Sequence, residues 1–201
     1  WGFLESTDLR RVDEFCERTA QFVISGVSAR PFERAQFIRG TENFFKDLIK
    51  KKDMAIKLLN KIHRYNLEHI KLWLNTEVDA IWILDDWGGQ NRLLISPKVW
   101  RELLKPLYEE YCDLIHDKDK YVFFHSDGWI EELYKDLIDI EVDAINSQLF
   151  SMDLKSISNK FKGQITFWGE IDRQHLLPFG APGEIKKAVY KVRSLLEDKR
   201  G

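Results

Sequence analysis

The chain has 201 residues, of which 44% are apolar and 32% are charged, and its net charge is −2. This composition indicates one globular domain with a sizeable core, and the absence of a basic excess argues against nucleic acid as a partner. The apolar runs are far shorter than the ~20 residues of a membrane span, so we expect no membrane association. The two cysteines, Cys16 and Cys112, lie far apart, which predicts reduced thiols and a cytoplasmic location.

Short apolar runs rich in β-branched residues predict strands buried on both faces, as in parallel sheets. In chain order they lie at residues 21–25, 79–84, 121–124, 142–146 and 164–168, with residues 1–4 as a further candidate. Amphipathic helices are predicted at residues 53–74, 96–116, 129–140, 153–161 and 182–198. Ser96-Pro97, Asp153 and Pro182 are the start signals of three of these helices.

This alternation of strands and helices predicts an α/β fold with a parallel sheet and right-handed crossovers. A doubly wound sheet and a closed barrel both fit the alternation. The doubly wound fold predicts a glycine-rich phosphate turn, and neither G-x-G-x-x-G nor G-x-x-x-x-G-K occurs in the sequence. A (β/α)8 barrel typically needs ~250 residues. If the fold is a barrel, it is a single domain over residues 1–201 that is incomplete, with about five to six βα units, and truncated at both ends.

The predicted strand ends carry the candidate chemistry, because the C-terminal strand ends of a barrel meet at one mouth. Four strands are followed by polar segments, namely Asp85-Asp86, His125-Ser126-Asp127, Asn146-Ser147-Gln148 and Glu170-Ile171-Asp172. Several carboxyl groups and an imidazole in one small volume are typical of metal binding or acid–base chemistry. The structural alternatives are a core role for His125 and N-cap roles for Asp127 and Asp172. Trp87 and Trp168 flank the mouth and are candidates to contact a flat or methylated ligand.

Five segments have a distinctive order and spacing. They are the turn from Gly26 to Glu33 with its Pro-Phe pair, Asp85-Asp86-Trp87-Gly88-Gly89, the helix start Ser96-Pro97, and the strand ends at His125 and Glu170. Together they resemble the uroporphyrinogen decarboxylase superfamily over roughly residues 20–195. The resemblance implies a (β/α)8 barrel and one of two chemistries. One branch decarboxylates uroporphyrinogen without a cofactor, and the other consists of corrinoid-linked methyltransferases in which zinc activates a thiol.

The methyltransferase-like branch is the closer of the two. Its members carry His-x-Cys where this chain has His125-Ser126-Asp127, so the histidine matches and an aspartate, a harder ligand, replaces the cysteine. The acidic strand ends are unlike the cationic pocket that uroporphyrinogen requires, and Phe37 is the nearest residue to a family tyrosine. Uroporphyrinogen decarboxylase remains the alternative, and a barrel that binds a ligand without turnover is a third hypothesis.

The strand-end positions and the resemblance together assign a role to each candidate residue. The catalytic candidates are Asp85, His125 and Glu170; the metal-ligand candidates are His125, Asp127 and Glu170; the substrate-binding candidates are Asp86, Trp87, Asn146, Gln148, Trp168 and Asp172. The resemblance implies zinc and a corrinoid (cobalamin) on a partner protein as cofactors, or none for a true decarboxylase. We expect a small-molecule substrate and leave the oligomeric state open, a dimer included.

Overall fold

The computed structural model describes residues 8–26 and 29–198. Within these ranges five strands form one parallel sheet: β1 (Ile24–Gly26), β2 (Ala80–Leu84), β3 (Tyr121–Ser126), β4 (Ala144–Ser147) and β5 (Thr166–Phe167). The five strands predicted beyond residue 20 are confirmed, with somewhat different bounds. The candidate strand at residues 1–4 lies outside the described residues.

The strand order distinguishes the barrel from the doubly wound alternative. Each strand pairs with its predecessor in the chain, which gives the order β1-β2-β3-β4-β5. A doubly wound sheet reverses its order at a switch point, whereas a barrel keeps the order of the chain. The register places His125 beside both Leu84 and Asn146. The residues that follow β2, β3 and β4 therefore emerge at the same edge of the sheet.

Helices lie between the successive strands, before β1 and after β5. They are α1 (Arg10–Cys16), α2 (Pro31–Arg39), α3 (Thr41–Lys50), α4 (Lys52–Leu74), α5 (Pro97–Leu103), α6 (Lys105–His116), α7 (Tyr134–Asp139), α8 (Leu154–Phe161), α9 (Leu176–Phe179) and α10 (Pro182–Leu196). Two short 3₁₀ turns, Glu131–Leu133 and Leu149–Ser151, follow β3 and β4. Across the described ranges, none of these helices combines the length and the apolar character that crossing a bilayer requires.

Two predicted helices differ from the structure for local reasons. The helix predicted at residues 96–116 is two helices, α5 and α6, because Pro106 lacks an N–H for a continuous helix. Ser96 caps α5 as predicted, since its side chain accepts the N–H of Val99 at 3.3 Å. The helix predicted from residue 129 starts later: a 3₁₀ turn, Glu131–Leu133, comes first, and the α-helix begins at Tyr134.

Aromatic side chains fill the core beneath β2 and β3. The ring centroid of Trp87 lies 5.2 Å from Trp100, 5.1 Å from Tyr108 and 4.9 Å from Phe124. All four side chains are fully buried, and rings of this size dominate the energetics of a core. Trp87, predicted to contact substrate at the mouth, thus lies in the core.

Candidate functional site

Asp86, His125 and Asp127, which we call the triad, converge at the carboxyl ends of β2 and β3. The Nε2 atom of His125 lies 3.4 Å from Oδ1 of Asp127 and 3.7 Å from Oδ1 of Asp86. One potential ligand atom from each residue lies within 4.8 Å of the others, and all three residues are partly buried. The parallel register brings them together, because their strands end side by side.

The orientation of His125 is set by a chain of hydrogen bonds. The carbonyl of Trp168 can only accept, so it fixes the amide nitrogen of Asn146 on its own side. The amide oxygen of Asn146 then faces Nδ1 of His125, at 2.5 Å. Nδ1 therefore donates to this oxygen, and Nε2 is the ring nitrogen that faces the two carboxyl groups. This is the arrangement that metal-binding histidines use.

Two glycine-containing loops fix the carboxyl groups of the triad. The N–H of Asp127 donates to Oδ1 of Asp86 at 2.8 Å, and the N–H of Gly88 donates to the carbonyl of Asp127 at 3.2 Å. Gly88 and Gly128 approach so closely that a Cβ on either would lie 2.5 Å or less from backbone atoms of the other. Gly128 also has a φ of +78°, which favours glycine. The ligand positions are therefore set by backbone contacts between the loops.

Arg173 and Glu170 border the triad on the side of β5. Nη2 of Arg173 lies 2.5 Å from Oδ2 of Asp127, and Nη1 lies 3.7 Å from Oε1 of Glu170. Burial raises the pKa of Glu170, and the positive charge of Arg173 opposes this. Oδ1 of Asp127 and Oε2 of Glu170 are buried and have no hydrogen-bond partner within the described ranges. Both oxygens can therefore bind a cation or accept a hydrogen bond. Arg173 was not among the predicted site residues. Its position three residues after Glu170 is the feature of the sequence that could have indicated the ion pair.

Glu33 approaches the triad from the opposite side, at the beginning of α2. Its side chain is only 17% exposed and pairs with Arg30 at 3.4 Å. Burial raises the pKa of Glu33, and the negative charge of Asp86 raises it further, whereas Arg30 and His125 oppose the shift. Glu33 was not among the predicted site residues. Pro31 followed by an acid in the first turn is a helix-start signal that predicts α2.

Asp85, predicted to be catalytic, is not brought into the triad. Its carboxylate accepts the N–H groups of Phe32 at 2.7 Å and Glu33 at 2.8 Å, and the hydroxyl of Tyr108 at 2.7 Å. The residue is fully buried, and burial raises the pKa of Asp85 to about 7 in spite of these hydrogen bonds. Asp85 therefore caps the N-terminus of α2 from a distant part of the chain.

The substrate-binding candidates after β4 and β5 lie at the rim. Gln148 lines a small cavity of about 80 Å³ together with Glu170, Asp172 and Arg173. Trp168 is 36% exposed and its ring packs edge-on against Trp82. Asn146 contacts His125, as described above, and Asp86 belongs to the triad.

Asp172 has the capping role that was the alternative to substrate binding. Its Oδ1 accepts the N–H groups of Gln174 and His175, both at 2.9 Å. The bond from His175 is the main reason that the pKa of Asp172 lies below its ordinary value. Asp172 therefore shapes the loop that carries Arg173.

Comparison with known proteins identifies the family. The structure matches that of a methyltransferase from Methanosarcina mazei with a TM-score of 0.75 and 18% sequence identity, over 92% of this chain and 54% of that one. At this identity the likeness establishes the fold, and it confirms the predicted (β/α)8-barrel class, with the chain spanning about half the length of that relative. No curated protein sequence matches the chain. A family model described as uroporphyrinogen decarboxylase (URO-D) matches residues 8–201, and the chain therefore belongs to the uroporphyrinogen decarboxylase family.

Proposed function

We propose that the triad binds a divalent metal ion and that the chain takes part in methyl transfer between a small substrate or thiol and a corrinoid protein. The family supports an enzymatic role, and a methyltransferase shares the fold. The most direct support is the geometry of the triad. Three groups of the types that bind metals lie within ligand distance of one another in a partly buried site.

The observation that carries the proposal is the direction in which Nε2 of His125 points. Nε2 faces the carboxyl oxygens of Asp86 and Asp127 at 3.7 and 3.4 Å, while Nδ1 is already used by Asn146. A cation among these three atoms would be attracted by both carboxylates, and a metal ion there would also bind the imidazole nitrogen. The buried, unpartnered Oδ1 of Asp127 is a second sign that this volume suits a cation.

The residues present fit a divalent ion. His125, Asp127 and Asp86 would hold it, and Glu170 lies beside them as the further ligand candidate. Bound there, the metal would supply Lewis acidity that lowers the pKa of a thiol or hydroxyl. One imidazole and two carboxylates form a hard ligand set, which suits zinc and also harder ions such as Mn²⁺. Asn146 and Trp168 keep the imidazole oriented, and Arg30 and Arg173 balance part of the negative charge.

The acidic character of the site disfavours uroporphyrinogen as the substrate. Four carboxyl groups border the space between the triad side chains, namely those of Glu33, Asp86, Asp127 and Glu170. Arg30 and Arg173 are each paired with one or more of these groups. A substrate that carries eight carboxylates would be repelled by such a pocket. We therefore keep decarboxylation as the weaker alternative. A cytoplasmic location and a corrinoid partner remain parts of the proposal.

Metal analysis tests the binding part of the proposal. The purified protein, His125→Ala and His116→Ala are dialysed without chelator, and their metal content is measured by mass spectrometry. His116 pairs with Asp143 rather than with the triad, so it is a matched histidine control. We expect about one metal ion per chain in the wild type and the control, and a loss in His125→Ala. A wild type without bound metal that also fails to take up Zn²⁺ or Mn²⁺ contradicts the proposal.

The transfer reaction is tested separately. Free cob(I)alamin is mixed with the metal-loaded protein and a panel of methylated thiols, amines and ethers, and formation of methylcobalamin is followed by absorbance. We expect turnover with at least one donor, and none with His125→Ala. Release of CO₂ from uroporphyrinogen, measured with the same protein, would instead favour the decarboxylase alternative.

A further inference from the structure

Arg173 lies between two acidic side chains that border the triad. Its Nη2 contacts Oδ2 of Asp127 at 2.5 Å, and its Nη1 faces Oε1 of Glu170 at 3.7 Å. The guanidinium group is a planar fork that can address two carboxyl groups at the same time. The arginine side chain is 43% exposed, whereas those of Asp127 and Glu170 are 32% and 17% exposed. The guanidinium therefore contacts both carboxyl groups from their more exposed side.

The two carboxyl groups share an asymmetry. In each of them, one oxygen faces Arg173 and the other is buried without a hydrogen-bond partner within the described residues. The unpartnered atoms are Oδ1 of Asp127 and Oε2 of Glu170. Oδ1 of Asp127 is also the atom that lies 3.4 Å from Nε2 of His125. Buried carboxylate oxygens without a partner are destabilising, so their recurrence beside one arginine calls for an explanation.

We infer that Arg173 is a positioning residue that holds the outer oxygen of both carboxyl groups and leaves one inner oxygen of each for the cation. This inference rests on the metal site proposed above and adds a residue that neither the sequence analysis nor the triad includes. Arg173 acts through Asp127 and Glu170 and does not bind the cation itself. The contact with Arg173 at 2.5 Å occupies the outer oxygen of Asp127, and the positive charge 3.7 Å away attracts the outer oxygen of Glu170. The inner oxygen of each carboxyl group is then the atom that can act as a ligand.

The loop of Arg173 is itself held in place. The carboxylate of Asp172 accepts the N–H groups of Gln174 and His175, and the carbonyl of Asp172 accepts the N–H of Leu177 at 2.8 Å. These bonds close a turn immediately around Arg173. The guanidinium is thus attached to an ordered segment, as a residue that orients others requires.

Charge neutralisation alone would also place an arginine here, and a lysine would serve that purpose equally well. A lysine is a single point donor and does not hold two carboxyl groups in a fixed plane. The Arg173→Lys variant therefore keeps the positive charge and loses the ability to orient both carboxyl groups. Arg193→Lys is the matched control, because Arg193 forms a two-pronged ion pair with Glu197 on the exposed helix α10.

The experiment is calorimetric titration of the metal-free full chain with Mn²⁺ and with Zn²⁺. We expect Arg173→Lys to weaken binding by about 10- to 100-fold, as loss of an outer-shell partner does, and Arg193→Lys to bind like the wild type. Glu170→Gln, which keeps the shape of the side chain, should also weaken binding. Thermal unfolding of each variant verifies that it is folded.

Three outcomes separate this inference from the proposed function. Equal or tighter binding by Arg173→Lys overturns the inference and leaves the metal site intact. A wild type that binds neither ion overturns both. Weaker binding by Arg173→Lys, combined with an absence of methyl transfer in every protein, supports the positioning role and contradicts the proposed reaction alone.

Discussion

Asp85 and Tyr108 share a hydrogen bond of 2.7 Å at a point where neither side chain reaches solvent. The same hydroxyl accepts the indole N–H of Trp87 at 2.9 Å. The same carboxylate receives two N–H groups at the beginning of α2. One buried pair therefore connects the aromatic core to the helix that carries Glu33.

Removing the hydroxyl of Tyr108 should destabilise the protein. Tyr108→Phe keeps the ring but leaves the indole N–H of Trp87 buried without its acceptor. A buried polar group that loses its partner costs about 1–3 kcal/mol. Urea unfolding measures the difference from the wild type, and Tyr190→Phe is the control because Tyr190 is 58% exposed. A cost equal to that of the control would mean that the hydroxyl contributes nothing.

The stability of the protein should depend on pH through Asp85. Its pKa is about 7 in the fold against an ordinary value of 3.8, so the folded state binds the proton more tightly than the unfolded state. This contribution is complete below about pH 4 and is lost as the pH rises through 7. Asp85→Asn does not titrate at this position. The stability advantage of the wild type over Asp85→Asn should therefore fall by roughly 2–3 kcal/mol between pH 5 and pH 8.

Urea unfolding of both proteins at several pH values measures this difference. At pH 5, where Asp85 is protonated, the cost of Asp85→Asn reports the loss of one of the two side-chain oxygens that accept the N–H groups of Phe32 and Glu33. A difference that stays constant, or that grows as the pH rises, contradicts the raised pKa.

A methyl group at Gly128 should disrupt the triad. Its Cβ would lie 2.3 Å from the carbonyl oxygen of Gly88, at a φ of +78°. Gly128→Ala should therefore cost at least about 2 kcal/mol and weaken binding of Zn²⁺ or Mn²⁺. Gly183→Ala is the control, since nothing lies within 4 Å of its Cβ position in helix α10, and it should be neutral or stabilising by up to about 1 kcal/mol. Unfolding and calorimetry on both variants test this, and a Gly128→Ala protein that binds metal normally would show that the loop contact is dispensable.

Loss of the Asn146 amide should release His125 from its orientation. Asn146→Leu removes both the acceptor for Nδ1 of His125 and the donor to the carbonyl of Trp168. Affinity for a divalent ion should fall by about 10- to 100-fold. Asn159→Leu, on the exposed face of α8, is the control for the added leucine. Undiminished affinity in Asn146→Leu would mean that the strand alone fixes the imidazole.

The strands and the polar residues that follow them could be predicted, because they depend on local patterns in the sequence. The buried strands are visible as apolar runs, and the polar residues that follow them, His125 and Asp127 among them, lie together because parallel strands end at one edge. The distinction between Asp85 and Asp86 was not predictable in this way. It depends on which of two adjacent carboxyl groups meets the N-terminus of α2, a contact across more than 50 residues of chain.

The roles of Trp87 and Arg173 depend on similarly distant contacts. Trp87 follows a strand end like a residue of the mouth, but Trp100, Tyr108 and Phe124 surround it in the core. Arg173 lies in an exposed loop, and its role depends on its ion pair with Asp127. Two strands, β4 and β5, separate the two residues in the chain. Composition and periodicity carry no information on such pairings.

The backbone contact between Gly88 and Gly128 holds the loops of the site in place, whereas side chains of these loops supply its donor atoms. Main-chain atoms of the two loops fix where the side chain of Asp127 begins, so the identity of that side chain can change without rebuilding the loops. A thiolate in place of the carboxylate at Asp127 would soften the ligand set and shift its preference towards zinc. The metal selectivity of the site that we propose is therefore open to redesign, or to evolutionary drift, through a single codon.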